Sequence, residues 1–221
     1  MIFLKPKKIL YFPGCFVSTM LPEISENYER IFNKLNLDVY KLNQNICCGA
    51  VAYSNGYTQD FMNLKERAIG VFHDTGVKNI VTNSSVCLWT FGRHYGFKVE
   101  HATQLLSRFK NKLPVMYDEE VSYYDAVDLG IYDAPRGVLD AIGFDIVELE
   151  RSKENSIICG AEGGMIQNVP QIANKLAEEV LSMCKTKKLI VADPLVYYHL
   201  KNNSKANVKV LELSEVLVKW I

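Results

Sequence analysis

An α/β fold built from two copies of one lobe is the architecture that this 221-residue sequence predicts. Three observations carry that expectation. Short apolar strand patterns alternate with amphipathic helical stretches, the order that parallel βαβ units require. The order of elements repeats after about 110 residues, which is too long for a solenoid and suits a duplicated lobe. Cysteine or glycine stands where strand patterns run into loops, at Gly14-Cys15, Cys47-Cys48-Gly49 and Cys87.

Residues 9–12 read as an apolar strand ending at Pro13-Gly14-Cys15, and residues 22–35 place Ile24, Tyr28, Ile31, Phe32 and Leu35 at helical spacing. Residues 37–42 are strand-like and lead into Cys47-Cys48-Gly49. A helix over residues 58–74 is closed by Gly76, a strand over 79–82 runs into Ser84-Ser85-Val86-Cys87, and a short helix precedes a last strand over 98–101. In the second half, a strand is expected over residues 122–125, and Val127 stands at an offset of 112 from Cys15. Cys159-Gly160-Ala161 follows Cys48-Gly49-Ala50 by 111 residues, Val196 follows Cys87 by 109, and Lys209-Val210 follows Lys98-Val99 by 111.

Composition bounds the function. A hydrophobic content of 48% supports a core that needs no disulfide staples. Lys plus Arg and Asp plus Glu each number 25, so no basic excess favours a nucleic acid backbone. No apolar run reaches the roughly 18 residues of a membrane span. Residues 1–11 carry Lys5, Lys7 and Lys8 and meet Pro13-Gly14 too soon for an export signal. A cytoplasmic protein is expected, in which six cysteines act as metal ligands, thiol groups or packing residues rather than as disulfides.

Cys15, Cys47, Cys48 and Cys87 are the candidate ligands, because each gap between them is long enough for a helix and strand to return the chain to one sheet edge. Adjacent side chains diverge, so the vicinal pair suits a cluster of several metals better than one ion. Four thiolates also suit tetrahedral zinc, and a metal-free thiol site is the third alternative.

Pro13-Gly14-Cys15, Cys47-Cys48-Gly49 and the Cys87 loop resemble the cysteine-rich CCG domain family found in heterodisulfide reductase and in related succinate dehydrogenase-type proteins. The second half resembles the same pattern in Asp125-Ala126-Val127-Asp128-Leu129-Gly130, Ile158-Cys159-Gly160-Ala161 and Asp193-Pro194-Leu195-Val196. The resemblance implies two pseudo-symmetric lobes with parallel sheets: residues 1–113 as the cluster-binding CCG lobe and 114–221 as a degenerate one. Each family lobe offers five cysteines. Here the first keeps four, with Ser84 at the fifth place, whereas Val127, Ile158, Asp193 and Val196 leave the second with Cys159 alone.

The resemblance therefore implies one iron–sulfur cluster, a [4Fe-4S] of noncubane or site-differentiated form, held by Cys15, Cys47, Cys48 and Cys87 with Ser84 at the open position. It implies an electron-transfer subunit of a heterodisulfide reductase-like oxidoreductase acting on a disulfide, thiol or quinone. Its partners would be a ferredoxin-like iron–sulfur subunit and a flavoprotein subunit, with contact at the inner face of a membrane as a further expectation. The alternative is a zinc-stabilised structural or assembly subunit, or a metal-free sulfur carrier. No Gly-x-Gly-x-x-Gly opens a helix after a strand, so electrons are expected from another chain.

Other residues carry plainer expectations. Cys159 reads as a buried small hydrophobe and Cys184 as packing. Asp125, Asp128, Asp193 and His199 read first as helix starts and helix residues, and second as a polar site in the second lobe. His73, His94 and His101 read as structural. Tyr123-Tyr124 and Tyr197-Tyr198 read as core aromatics. Leu213, Val216, Leu217, Trp220 and Ile221 form a stripe that docks on the chain's own sheet, or on a partner or membrane surface.

Overall fold

Among the described residues every strand pairs in parallel, and each return to a neighbouring strand carries at least one helix. The computed structural model describes residues 9–221, so the reading of residues 1–8 as no part of an export signal lies outside the described residues. The first lobe runs β1 (Ile9–Tyr11), α1 (Cys15–Met20), α2 (Pro22–Lys34), β2 (Val39–Lys41), α3 (Ala50–Ser54), α4 (Thr58–Asp74), β3 (Asn79–Thr82), α5 (Ser85–His94), β4 (Lys98–His101) and α6 (Ala102–Ser107). The second runs β5 (Glu119–Tyr123), α7 (Asp133–Ala141), β6 (Phe144–Ile146), α8 (Met165–Asn168), α9 (Pro170–Ser182), β7 (Lys188–Val191), α10 (Pro194–Asn203), β8 (Lys209–Glu212) and α11 (Leu213–Leu217).

The two sheets share one strand order, β2-β1-β3-β4 and β6-β5-β7-β8. Their registers correspond as well, with Ile80 opposite Val99 in the first sheet and Leu189 opposite Val210 in the second. The duplicated α/β fold is therefore a property of the structure, down to the strand pairing.

Some boundaries differ from expectation. The first strand of the second lobe starts at Glu119, three residues before the expected 122, because Glu119, Glu120 and Val121 pair with Phe144, Asp145 and Ile146 of β6. Residues 37–42 shorten to Val39–Lys41: Asn36 adopts a left-handed φ of 56° and Leu37 donates to the Phe32 carbonyl, which closes α2 and delays the strand. The short helices α1 and α3 are too brief for periodicity to reveal.

One buried cluster joins the lobes, with Tyr11, Tyr28 and Phe32 of the first packed with Tyr123, Leu139, Leu213 and Leu217 of the second. A separate cluster fills the outer face of the first sheet, where Phe12 and Phe91 meet edge-on at 4.8 Å. The lobes also exchange helix contacts, α2 against α11 and α6 against α7. Leu213, Val216 and Leu217 of the terminal stripe are buried in that shared core, and the Lys34 ammonium sits 5.7 Å from the Trp220 ring, so these residues dock on the chain itself, whereas Ile221 is exposed. Among the described residues no helix is long and apolar enough to cross a membrane.

His101 and Glu212 end β4 and β8 and cap α6 and α11 in the same way, the His101 ring accepting from Thr103 N–H and the Glu212 carboxyl from Ser214 N–H. The Tyr28 hydroxyl of the first lobe donates to Glu212 at 2.9 Å. Burial pushes the Glu212 carboxyl up to about 7, against the opposing pull of the Ser214 and Tyr28 hydrogen bonds. Between the ordinary carboxylate value and about 7, the unfolded chain has released a proton that the folded chain keeps. This group's contribution is thus fully present below the unfolded pKa and falls as pH rises through that window. Urea unfolding from pH 4 to 8 is expected to show that decline in the native protein and a flatter profile in Glu212→Gln.

Candidate metal centre

Cys15 opens α1 after β1, Cys47 and Cys48 lie in the loop after β2, and Cys87 sits in the first turn of α5 after β3. All three segments follow carboxyl ends of parallel strands, the edge at which open α/β sheets place functional groups. Two of the three are helix starts rather than the loops expected from sequence.

The four thiols meet as two pairs. Cys15 Sγ lies 3.7 Å from Cys47 Sγ, and Cys87 Sγ lies 3.4 Å from Cys48 Sγ. None forms a disulfide. Cys15 is exposed and Cys47 half-buried, whereas Cys48 and Cys87 are 4% and 5% exposed, so the set runs from solvent into the core. Among the described residues, no three of His, Cys, Asp and Glu are grouped so as to hold a metal ion.

Charge is shared unequally. Cys47 is held far below the usual thiol range because the Cys15 thiol, then the Cys48 thiol, donates to it, and Gly49 N–H adds a contact at 3.4 Å. The same sharing with Cys47 pushes Cys15 and Cys48 up, with burial adding to both. Cys47 is thus the first of these three to become a thiolate, the ligand form.

The backbone around the thiols is specialised. Gly14 has φ 86° and ψ 158°, a conformation nearly confined to glycine, and a Cβ there would stand 3.1 Å from Cys87 Sγ. Gly49 is left-handed, and its Cβ would meet the Phe61 ring at 2.8 Å. Ser84 is the N-cap of α5, its Oγ accepting from Cys87 N–H at 3.4 Å. The Tyr95 hydroxyl donates to the Cys48 carbonyl at 2.9 Å, a support that no motif signalled. A cavity of about 250 Å³ opens beside these loops between the ends of β1 and β2, lined by Gly14, Ser18, Ser25, Asn43, Asn45 and Ile46.

The matching edge of the second lobe is tied by different chemistry. Val127 and Ile158 are exposed there, and Val196 is buried. Arg136 donates two hydrogen bonds of 2.7 Å to Asp125 and bonds of 2.6 and 2.7 Å to Glu148. Asp125 also accepts from Lys153 N–H at 2.7 Å, and its carbonyl accepts from the Ser156 hydroxyl. Asp193 caps α10, and the His199 ring is 3.1 Å from the Ala173 carbonyl. Asp125, Asp193 and His199 thus each have separate structural partners.

The remaining cysteines behave as read. Cys159 is fully buried, its thiol 3.7 Å from Glu162 and pushed up by burial and that carboxylate. Cys184 donates to the Thr186 carbonyl at 3.3 Å. His101 is a buried cap, His94 packs on Tyr53 at 4.4 Å, and His73 is exposed. Tyr123, Tyr124 and Tyr197 are core residues, and Tyr198 meets Phe16 edge-on across the lobes.

Fold and site together define a class, a doubly lobed parallel α/β protein with a four-thiol centre at the carboxyl edge of one sheet. Residues 9–92, in the first lobe, match the family of the CCG cysteine-rich domain. It is 24% identical over 90% of its length to an uncharacterized iron–sulfur protein of Methanocaldococcus jannaschii. It is 28% identical over 77% of its length to one of the subunits of the dihydromethanophenazine:CoB–CoM heterodisulfide reductase of Methanosarcina barkeri. The chain spans 42% and 47% of the length of these two relatives. Among solved structures, a hypothetical protein from Helicobacter pylori superposes with a TM-score of 0.68 over 97% of this chain and 49% of its own, at 10% identity, a likeness of fold.

Gly14→Ala is expected to cost about 1 to 3 kcal/mol in urea unfolding through its backbone conformation and to displace the Cys87 sulfur. Gly56, at φ 78° with nothing within 4 Å of where a Cβ would stand, is the control. Alkylation of Cys87 should change in Gly14→Ala and stay unchanged in Gly56→Ala.

Proposed function

We propose that the chain is an electron-transfer subunit of a multi-subunit oxidoreductase, holding one iron–sulfur cluster on Cys15, Cys47, Cys48 and Cys87. The convergence of four thiols from three strand ends carries this reading. Two supports lie in the donor set. Sulfur is the ligand of such clusters, and two thiol pairs offer ligands to several irons. The close approach of Gly14 to Cys87 and the Gly49 N–H aimed at Cys47 leave room and a donor at the sulfurs.

In this reading residues 1–113 form the metal-holding lobe and residues 114–221 its scaffold. A cluster there supplies reversible one-electron storage. Cys47 enters as the first thiolate, exposed Cys15 marks the solvent side, and Tyr95 fixes the Cys48 backbone. Ser84 stands beside the centre as the oxygen available to an exchangeable iron. The cluster is a site-differentiated [4Fe-4S], electrons arrive from a ferredoxin-like iron–sulfur subunit fed by a flavoprotein, and they pass to or from a small disulfide. The complex works in the cytoplasm or at the inner face of a membrane.

One observation favours zinc as a second reading. The 3.7 Å spacing of Cys15 and Cys47 is close to the roughly 3.8 Å edge of a tetrahedron with zinc–sulfur bonds of about 2.3 Å. The other pair does not join them around one point.

Anaerobic iron, sulfide and zinc analysis with an absorption spectrum decides between these readings and a metal-free thiol site. Iron and sulfide in equal amounts, with visible absorbance, are expected. Cys47→Ser and Cys48→Ser should lose both, and Cys184→Ser should keep both. One zinc without sulfide would replace the proposal.

A further inference from the structure

Asp193 occupies the place in the second lobe where the first has Ser84, next to the cysteine loop. It is 1% exposed, and its carboxylate accepts four hydrogen bonds. Oδ1 accepts from Leu195 N–H at 2.9 Å and Val196 N–H at 3.0 Å, at the start of its own helix α10. Oδ2 accepts from Ser85 N–H at 2.8 Å and from the Ser85 hydroxyl at 2.7 Å. Ser85 opens α5 in the other lobe, two residues before Cys87.

We propose that Asp193 is a positioning residue for Cys87. Two acceptors hold the first turn of α5, Ser84 on the Cys87 amide and Asp193 on both donors of Ser85. Neither polar group of Ser85 has water to fall back on, since Ser85 is 3% exposed. The carboxylate therefore fixes where α5 begins and seals the Cys87 sulfur against Cys48. Where the second lobe has no cysteine, it lends an acceptor to the cysteine loop of the first.

The test separates positioning from plain adhesion between lobes, for which Tyr28→Phe is the comparison because Tyr28 makes a separate buried interlobe hydrogen bond. In reduced, metal-free protein, Asp193→Asn should raise the alkylation rate of Cys87, followed residue by residue by mass spectrometry, about tenfold or more, as loss of bonds to a charged group predicts. Ser85→Ala keeps Asp193 and its own amide, and should raise that rate about threefold to tenfold, which decides the matter should Asp193→Asn not fold. Tyr28→Phe should lower the melting temperature and leave the Cys87 rate unchanged. An unchanged rate in the Asp193 and Ser85 variants, or an equal rise in Tyr28→Phe, overturns the proposal. A further arm rests on the cluster reading: in iron-loaded protein, removing the nearby negative charge should raise the midpoint potential. Absence of any cluster would sink that reading, while the metal-free arm would still decide the role of Asp193.

Discussion

Thiols within hydrogen-bonding distance of one another cannot all ionise in a half-buried site, and that constraint governs the first lobe. One negative charge on Cys47 is stabilised by its neighbours, and each neighbour that donates to it is thereby made harder to ionise. Charge on Cys47 thus makes Cys15 and Cys48 harder to ionise. Turning all four into ligands needs positive charge brought in from outside, which is what a metal centre provides. The glycines, the Ser84 cap and the Tyr95 hydroxyl position the sulfurs without adding another charge to a site already crowded with potential anions.

The second lobe meets the same topological demand with ordinary ion pairs. A parallel sheet sends the loops that follow its strands to one edge, and those loops need something to hold them together. Arg136 does this through planar, paired hydrogen bonds to Asp125 and Glu148, with the Tyr123 ring 5.1 Å beneath its guanidinium. Asp125 is 1% exposed at its side chain, so its charge is tolerable only because the guanidinium and the Lys153 amide satisfy it. The absence of cysteine at Val127, Ile158 and Val196 thus accompanies a side-chain network that does not depend on a metal.

Much of this was legible in the sequence because repetition is a stronger signal than any single motif. The parallel order and the equal strand arrangement follow from residues that recur at near-constant offset, and the four cysteines from their places where strand patterns run into loops. What stayed hidden had no local signature. Arg136 lies inside α7, and only the fold brings Glu148 and Asp125 to it. The Asp193 to Ser85 bond spans 108 residues, and Asp193-Pro194 reads locally as a helix start, which it also is. Tyr95 follows α5 as an ordinary aromatic and reveals its bond to Cys48 only in three dimensions.

His101 and Glu212 show how far the two halves have kept their geometry while exchanging chemistry. Both are fully buried at the end of the last strand of a lobe, and both accept from the amide two residues ahead. Burial pushes the imidazole down to about 4 and the carboxyl up to about 7. The same desolvation therefore favours the neutral form of each, although one is a base and the other an acid. Only Glu212 receives a hydroxyl from the opposite lobe, through Tyr28. Together with Asp193 reaching Ser85, this makes the interface asymmetric in its polar bonds, with acceptors of the second lobe receiving donors of the first. A half with valine, isoleucine and aspartate at its cysteine positions, and with its acidic acceptors in place, is suited to holding the half that retains the thiols in one arrangement.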